Sequence, residues 1–111
     1  MKRIRLPLFI LACISIPSPS YAYDWLTNAK VTLIEATYAP NSIPFQVDRA
    51  IGNCAAGSML TWTSKGGDAA SKAQNFQAVF ALLLTAQSSG QLVTIYGNNV
   101  NCSIDYIYII K

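Results

Sequence analysis

Residues 68–90 read DAASKAQNFQAVFALLLTAQSSG, a stretch that is typical of one long helix. It contains no Pro, and no Gly before Gly90, and most of its residues favour helical structure. Asp68 or Ser71 is suited to cap the first turn, since either side chain accepts hydrogen bonds from its free amides. Gly90 is suited to the left-handed residue that ends many helices. We therefore predict a helix over Ala69–Gln87.

The predicted helix carries more apolar residues than one face needs. One set recurs at helical spacing and is expected to face the protein core, namely Phe76, Val79, Phe80 and Leu83. The outer face of a surface helix is normally polar in a monomer. We therefore expect Ala78 and Leu82, together with Phe80 or Leu84, to contact a neighbouring subunit.

Segments with strand composition lie on both sides of the helix. Val, Ile, Thr and aromatic residues, bounded by Gly, Pro and Asn, are typical of strands. The predicted strands are Lys30–Tyr38, Ile43–Ile51, Ser58–Ser64, Gln91–Tyr96 and Cys102–Ile110. Three strands, one helix and two strands is the element order of an OB-fold, a five-stranded Greek-key barrel with the helix between strands 3 and 4. The alternative is a small α+β sheet with one helix across it.

The last predicted strand is apolar on both faces. Simple alternation places one set of side chains together, namely Ile104, Tyr106, Tyr108 and Ile110. Ile107 and Ile109 then lie on the opposite face, so the strand has two surfaces to cover. We therefore interpret Tyr106 and Tyr108 as candidates for sheet packing or for a subunit interface.

Residues 1–22 have the three-part pattern of a cleavable signal peptide. Basic residues come first, an apolar run follows, and small residues precede the expected cleavage point after Ala22. Cys13 leaves a second interpretation open, in which cleavage at a lipoprotein-type site leaves a lipid-anchored cysteine. We predict that residues 23–111 form a single OB-fold-like domain, secreted or periplasmic in a bacterium.

Two cysteines follow the signal peptide, Cys54 and Cys102. An even pair in an exported chain is typical of a disulfide. Closing a loop of about 50 residues stabilises a fold by about 4 kcal/mol in the loop-entropy model. Two buried free thiols are the alternative. A zinc site is not expected, because two lone cysteines in a chain without His lack the ligands for one.

The formal charge of +3 does not indicate a nucleic-acid partner. The signal peptide supplies all of it, since the rest of the chain balances five basic residues against five acidic ones. No cluster of Lys or Arg remains to follow a phosphate backbone. We therefore expect no binding to nucleic acid.

The residue types of common active sites are missing or scattered. The chain has no His, the commonest general base. No Ser lies in a nucleophile elbow, no Gly-rich phosphate loop precedes the helix, and the carboxylates form no obvious pair for glycoside hydrolysis. Asp48 and Arg49 are interpreted as solvated surface charges. We predict a protein that is not an enzyme and that has no catalytic residue, metal or cofactor.

Polar and aromatic residues near strand ends are candidates for ligand binding. Aromatic faces pack on sugar rings, while Asp and Asn side chains hydrogen-bond sugar hydroxyls. The candidate glycan-binding residues are Asp24, Trp25, Asn28, Tyr96 and Asn98. Packing at the end of the barrel is the alternative for Trp25, and a place on the barrel rim is the alternative for Tyr96.

Residues 75–96, NFQAVFALLLTAQSSGQLVTIY, resemble the helix, the Ser-Gly-Gln turn and the following strand of B subunits from bacterial A–B toxins. The subtilase-cytotoxin and pertussis-like branch is the nearest, and residues 31–47 are similar to its first hairpin. The resemblance implies an OB-fold, a ring of five subunits, binding of sialylated cell-surface glycans and a toxin A subunit as a partner.

The chain also departs from that family. Ala29 stands nearest to the position of a glycan-contacting Ser, and Cys54 and Cys102 do not repeat the disulfide pattern, so no binding residue is carried over. One hypothesis is a secreted, non-catalytic B-like subunit that binds a glycan or glycoprotein receptor as a homopentamer. The other is a periplasmic structural or protein-interaction module of the same fold without a glycan site.

Overall fold

The structure is a computed structural model that describes residues 23–110. The predicted signal peptide, with Cys13, lies outside the described residues. The described elements are β1 (Trp25–Ile34), β2 (Ser42–Val47), β3 (Leu60–Thr63), α1 (Ala69–Ser89), β4 (Leu92–Gly97), a short 3-10 turn (Val100–Cys102) and β5 (Ser103–Ile109). The described chain is therefore mainly β with one helix, as predicted.

The strands form one mixed sheet in the order β1-β2-β3-β5-β4, and β4 pairs with β1 to close the sheet as a barrel. Neighbouring strands are antiparallel, except β3 and β5, which run parallel. The length of β1 makes the closure possible. Its residues Trp25–Lys30 pair with β4, and its residues from Val31 onward pair with β2.

The predicted position of the first strand was wrong. β1 begins at Trp25 and ends at Ile34, whereas the prediction ran over Lys30–Tyr38. Asn28 and Ala29 have weak strand propensity, and they are in a strand because they pair with β4. The other strands begin and end within a few residues of their predicted positions, apart from β2, which stops at Val47 instead of Ile51.

The core lies inside the barrel and is completed by α1, which packs mainly against β1. In β2, Ile43, Phe45 and Val47 are all buried, and Pro44 is buried as well. The largest fully buried side chains are Phe45, Ile43, Leu60, Leu83, Ile95 and Val93. Because the strands and the helix both contribute these side chains, the short chain closes around one interior.

The ends of α1 follow the predicted signals. The Asp68 carboxylate accepts a hydrogen bond from the Ser71 amide at 2.7 Å, and Gly90 has a φ of 72°. Within the helix, the Asn75 side-chain oxygen accepts hydrogen bonds from the Trp62 indole and the Lys65 amide, both at 2.9 Å. Asn75 therefore fastens α1 to the end of β3.

The predicted division of β5 into two faces was wrong. Tyr96 pairs with Tyr106, but the next residue, Gly97, pairs with Ile104. Asp105 is therefore an extra residue in β5, which is the definition of a β-bulge. Alternation reverses at this point, so that Ile104 is buried while Tyr106 is exposed. Ile107 is buried and Tyr108 is exposed for the same reason.

Cys54 and Cys102 form a disulfide with an S–S distance of 2.07 Å, which confirms the predicted pair. The bond joins the loop before β3 to the 3-10 turn before β5. Stable disulfides are typical of proteins in oxidising compartments outside the cytosol.

Candidate functional site

Tyrosine rings cluster on the outer surface of β4 and β5. Tyr96 lies at the centre, and its ring centroid is 4.8 Å from that of Tyr23, 5.8 Å from that of Tyr106 and 5.9 Å from that of Tyr108. All three contacts are edge-to-face, a favoured geometry for aromatic pairs. Tyr106 and Tyr108 remain 46% and 50% exposed. We call these four residues the tyrosine face.

Strand register builds the tyrosine face. Tyr96 stands opposite Tyr106, and Thr94 stands opposite Tyr108, in the antiparallel pair of β4 and β5. On the other side of β4, Leu26 of β1 pairs with Tyr96 and is 51% exposed. Side chains directly opposite each other on one face of a sheet are close neighbours. Three strands therefore contribute to one continuous aromatic and apolar surface.

Polar side chains continue this surface along β1 and β4. Thr94 pairs with Asn28, and its hydroxyl donates a hydrogen bond of 2.7 Å to the Asn28 side-chain oxygen. The bond leaves the Nδ2 group of Asn28 as a donor on the exposed side. Lys30 lies two residues further along β1, about 7 Å away by the rise of a strand. The surface thus offers hydroxyls and an amide beside aromatic rings.

A second group, the loop corner, consists of Asp24, Asn98, Asn99 and Asp105. The Asp24 carboxylate accepts a hydrogen bond from the Asn99 amide at 3.0 Å. The Asn98 side-chain amide donates to the Asp105 carboxylate at 2.5 Å. The Asn53 amide donates to the Asn99 side chain at 2.9 Å, which links the corner to the loop that carries Cys54. These polar groups hold the loop between β4 and β5 in place.

Trp25 packs against the core, half-buried at the end of the barrel. Two glycines lie directly against its ring. A Cβ atom on either Gly52 or Gly97 would overlap an indole carbon. This position agrees with packing at the end of the barrel, the alternative to glycan binding for Trp25. Alternation along β1 turns Leu26, and not Trp25, toward the outer surface.

The structure brings two of the predicted glycan-binding residues, Asn28 and Tyr96, to the same surface. Asp24 and Asn98 lie at the loop corner beside it, since the Asp24 amide donates to the Gly97 carbonyl at 2.8 Å. Trp25 packs inward as described.

Sequence reasoning did not place Tyr106 and Tyr108 with Tyr96, and it missed the contribution of Thr94. The signal that could have found them is the pairing of β4 with β5 across a short turn, in which every second residue faces outward. The extra residue in β5 hides this pattern, because it shifts the outward positions by one.

The helix positions expected at a subunit interface differ in exposure. α1 buries one stripe, namely Phe76, Val79, Leu83 and Ala86. Leu82 is half-buried and packs against the same core, while Ala78 is exposed. Leu84 is 42% exposed. At 3.6 residues per turn, Leu84 and Phe80 lie on one flank of the buried stripe, and Ala78 and Leu82 lie on the other.

Asp48 and Arg49 form an exposed ion pair beyond the end of β2. The Arg49 side chain donates to the Asp48 carboxylate at 3.2 Å, and the Lys30 amide donates to it at 3.0 Å. These hydrogen bonds hold the pKa of Asp48 below its usual value. Exposed pairs of this kind contribute little to stability, which agrees with the interpretation as solvated surface charges.

Among residues 23–110, no group of three or more His, Cys, Asp or Glu side chains is arranged to hold a metal ion, and no pocket opens. In the same part of the chain, no helix has both the length and the apolar character to cross a membrane. The tyrosine face is an exposed surface of β4 and β5, which suits contact with one side of a ligand better than its enclosure.

Comparison with known proteins gives no relative. The chain matches no protein-family model, no curated protein and no solved structure. The function must therefore be inferred from the geometry of the described surface and from the sequence.

Proposed function

We propose that this chain is an exported, non-catalytic carbohydrate-binding subunit that binds a cell-surface glycan or glycoprotein through the tyrosine face. The observation that carries the proposal is the exposure of Tyr106 and Tyr108 beside Tyr96. Leaving large aromatic side chains in water forgoes the stabilisation that burial gives, and contiguous exposed patches of this kind commonly mark interaction sites.

A carbohydrate fits this surface better than a purely apolar ligand. Tyrosine rings can cover the C–H face of a sugar while their hydroxyls donate and accept hydrogen bonds. Asn28 and Thr94 add polar groups next to the rings. An exposed sheet surface covers only one side of its ligand, so each site is expected to bind weakly. Several linked copies raise the overall affinity without any new contact.

The proposed subunit has an OB-fold. A closed order of five strands, with a helix between β3 and β4 in the chain, supports an OB-fold. The resemblance of residues 75–96 to toxin B subunits supports a homopentamer and a toxin A subunit as a further partner. The disulfide and the N-terminal pattern support export. An intact mass equal to that of a chain starting at Tyr23 would agree with removal of the signal peptide.

Serine substitutions on the tyrosine face test the glycan site. We expect Tyr106→Ser and Tyr108→Ser each to weaken glycan binding about ten-fold, as expected for truncation of a central aromatic contact. Tyr38→Ser is the matched control, because Tyr38 is 54% exposed but lies between β1 and β2, away from β4 and β5. The measurement is a glycan array on the purified protein, followed by titration of the tightest oligosaccharide.

Two results would contradict the glycan site. One is an array on which the unmodified protein binds no carbohydrate. The other is equal binding by the three tyrosine variants, since a contact on the tyrosine face must distinguish Tyr106 and Tyr108 from Tyr38.

A protein-interaction module without a glycan site is the second candidate, and the exposure of Leu84 on α1 favours it. If this flank of the helix contacts another subunit, Leu84→Lys should lower the molar mass measured by light scattering. Met59→Lys is the control, since Met59 is similarly exposed at 39% but precedes β3. Leu82→Lys should instead unfold the domain, because Leu82 packs against the core.

A monomeric mass for the unmodified protein at micromolar concentration would contradict assembly through α1. Glycan binding by such a monomer would leave the tyrosine face as the functional surface. Assembly without glycan binding would favour the interaction module.

A further inference from the structure

The side chains of β5 can lie on either of two faces, and a single residue decides between them. In regular alternation from the buried Ile104, the residues Tyr106 and Tyr108 would share its inner face and Ile107 would point outward. The observed strand has the opposite arrangement after Asp105, with Ile107 buried and both tyrosines exposed. The pairing locates the change between Tyr96 and Gly97, where β5 advances by two residues for one residue of β4.

The extra residue is held from the loop that follows the opposite strand. Asn98 follows directly after β4, and its side-chain amide donates to the Asp105 carboxylate. The Asn98 backbone amide also donates to the Ser103 carbonyl at 2.8 Å. Asn98 is thus bonded to β5 on both sides of Ile104. Bulges are commonly found where a protein must re-aim a side chain near a functional site.

We infer that Asp105, clamped by Asn98, is the positioning residue that builds the tyrosine face. It contacts no ligand in this role. Asp105 is itself the extra residue of β5, and its presence turns Tyr106 and Tyr108 outward, against Tyr96. The outward orientation of Tyr106 and Tyr108 follows from the strand pairing, and only its consequence for glycan affinity rests on the proposed function.

Conservative and non-conservative variants separate positioning from charge. Asp105→Asn keeps an oxygen that accepts from Asn98 and removes the charge, whereas Asp105→Ala and Asn98→Ala remove the bond. Nuclear Overhauser cross-peaks between the rings of Tyr96 and Tyr106 report the geometry directly, in the full mature protein. We expect these cross-peaks in the unmodified protein and in Asp105→Asn, and their loss in both alanine variants.

Affinity for the tightest oligosaccharide of the array is the second readout. We expect it to fall about ten-fold in Asp105→Ala and Asn98→Ala, the scale expected when a tyrosine contact with the glycan is lost, and to be retained in Asp105→Asn. Ser103→Ala is the control, because it removes a different loop hydrogen bond, from the Ser103 hydroxyl to the Val100 carbonyl. It should leave both the cross-peaks and the affinity unchanged.

The ring cross-peaks test the positioning role of Asp105, and the glycan affinity tests the proposed function. Ring cross-peaks that persist in both alanine variants overturn the positioning role of Asp105, whatever the glycan results. Cross-peaks that disappear as expected, in a protein that binds no glycan, keep the positioning role and overturn the proposed function. If the alanine variants lose both the ring cross-peaks and the glycan affinity, and Asp105→Asn retains them, the positioning role and the proposed function are both supported.

Discussion

At the scale of single residues, the barrel end depends on the pairing of one large side chain with two residues that have none. The Trp25 ring lies so close to Gly52 and Gly97 that a Cβ atom on either would overlap it. Gly97 is further confined by the Ser103 carbonyl, which would lie 2.6 Å from its Cβ. The glycines are therefore required here by space at the Trp25 ring.

Substitution of Gly97 by alanine should be destabilising for this reason. A rigid indole ring and a backbone carbonyl cannot both move away, and overpacking of a buried site costs about 1–3 kcal/mol of unfolding free energy. Gly67→Ala is the matched control, since nothing lies within 4 Å of its Cβ position. Urea denaturation of both variants measures the difference. Equal midpoints would mean that Trp25 is free to move.

At the scale of elements, α1 is fixed at its start by one exposed carboxylate. The Asp68 side chain accepts a hydrogen bond from the Ser71 amide, and this bond holds the pKa of Asp68 below its usual value. A carboxyl group whose pKa is lower in the folded state binds its proton less readily there than in the unfolded chain. The resulting stabilisation is present above the unfolded pKa and is lost as the pH falls through the folded pKa.

Asp68→Asn tests this pH dependence, because asparagine is also a good N-cap but does not titrate. The unmodified protein should have the higher melting temperature near neutral pH. The difference between the two proteins should shrink as the pH is lowered from about 5 to about 2. Circular dichroism at several pH values gives both melting temperatures. A difference that grows on acidification would contradict the stabilising role of the ionised Asp68 carboxylate.

At the scale of the whole molecule, loops far apart in sequence are joined at one end of the barrel. The disulfide spans a sequence separation of 48 residues, and Asn99 bonds both Asn53 and Asp24 next to it. The loop between β4 and β5 is therefore fixed to the loop before β3 and to the start of β1. The same loop carries Asn98, which bonds the extra residue of β5. The contacts that join the loops at this end of the barrel are therefore connected to the tyrosine face.

Removing the disulfide should lower stability substantially. Replacing both Cys54 and Cys102 by serine is expected to cost about 4 kcal/mol, since the unfolded chain regains the entropy of an open loop of this length. The free energy of unfolding in urea measures the loss. Reducing agent should destabilise the unmodified protein to the same extent and leave the double variant unchanged. Equal stability of the oxidised protein and the double variant would contradict the expectation.

Elements whose signals are local could be predicted from the amino-acid sequence alone. The helix could be predicted from Asp68, Gly90 and an uninterrupted run of helix formers, because capping and propensity act within a few residues. The presence of β2 could be predicted because Ile43, Phe45 and Val47 are residue types that favour strands. The disulfide could be predicted because only Cys54 and Cys102 remain after the predicted signal peptide.

The way in which the strands meet depends on contacts between distant parts of the chain. β1 starts at Trp25 because Asn28 and Ala29, weak strand formers, gain hydrogen bonds from β4, a segment more than sixty residues away. Tyr106 and Tyr108 join Tyr96 because one extra residue reverses the alternation of β5. Register is a property of two paired strands, and a shift of one residue exchanges their faces. No pattern within one strand records it, so the candidate site emerges only from the pairing.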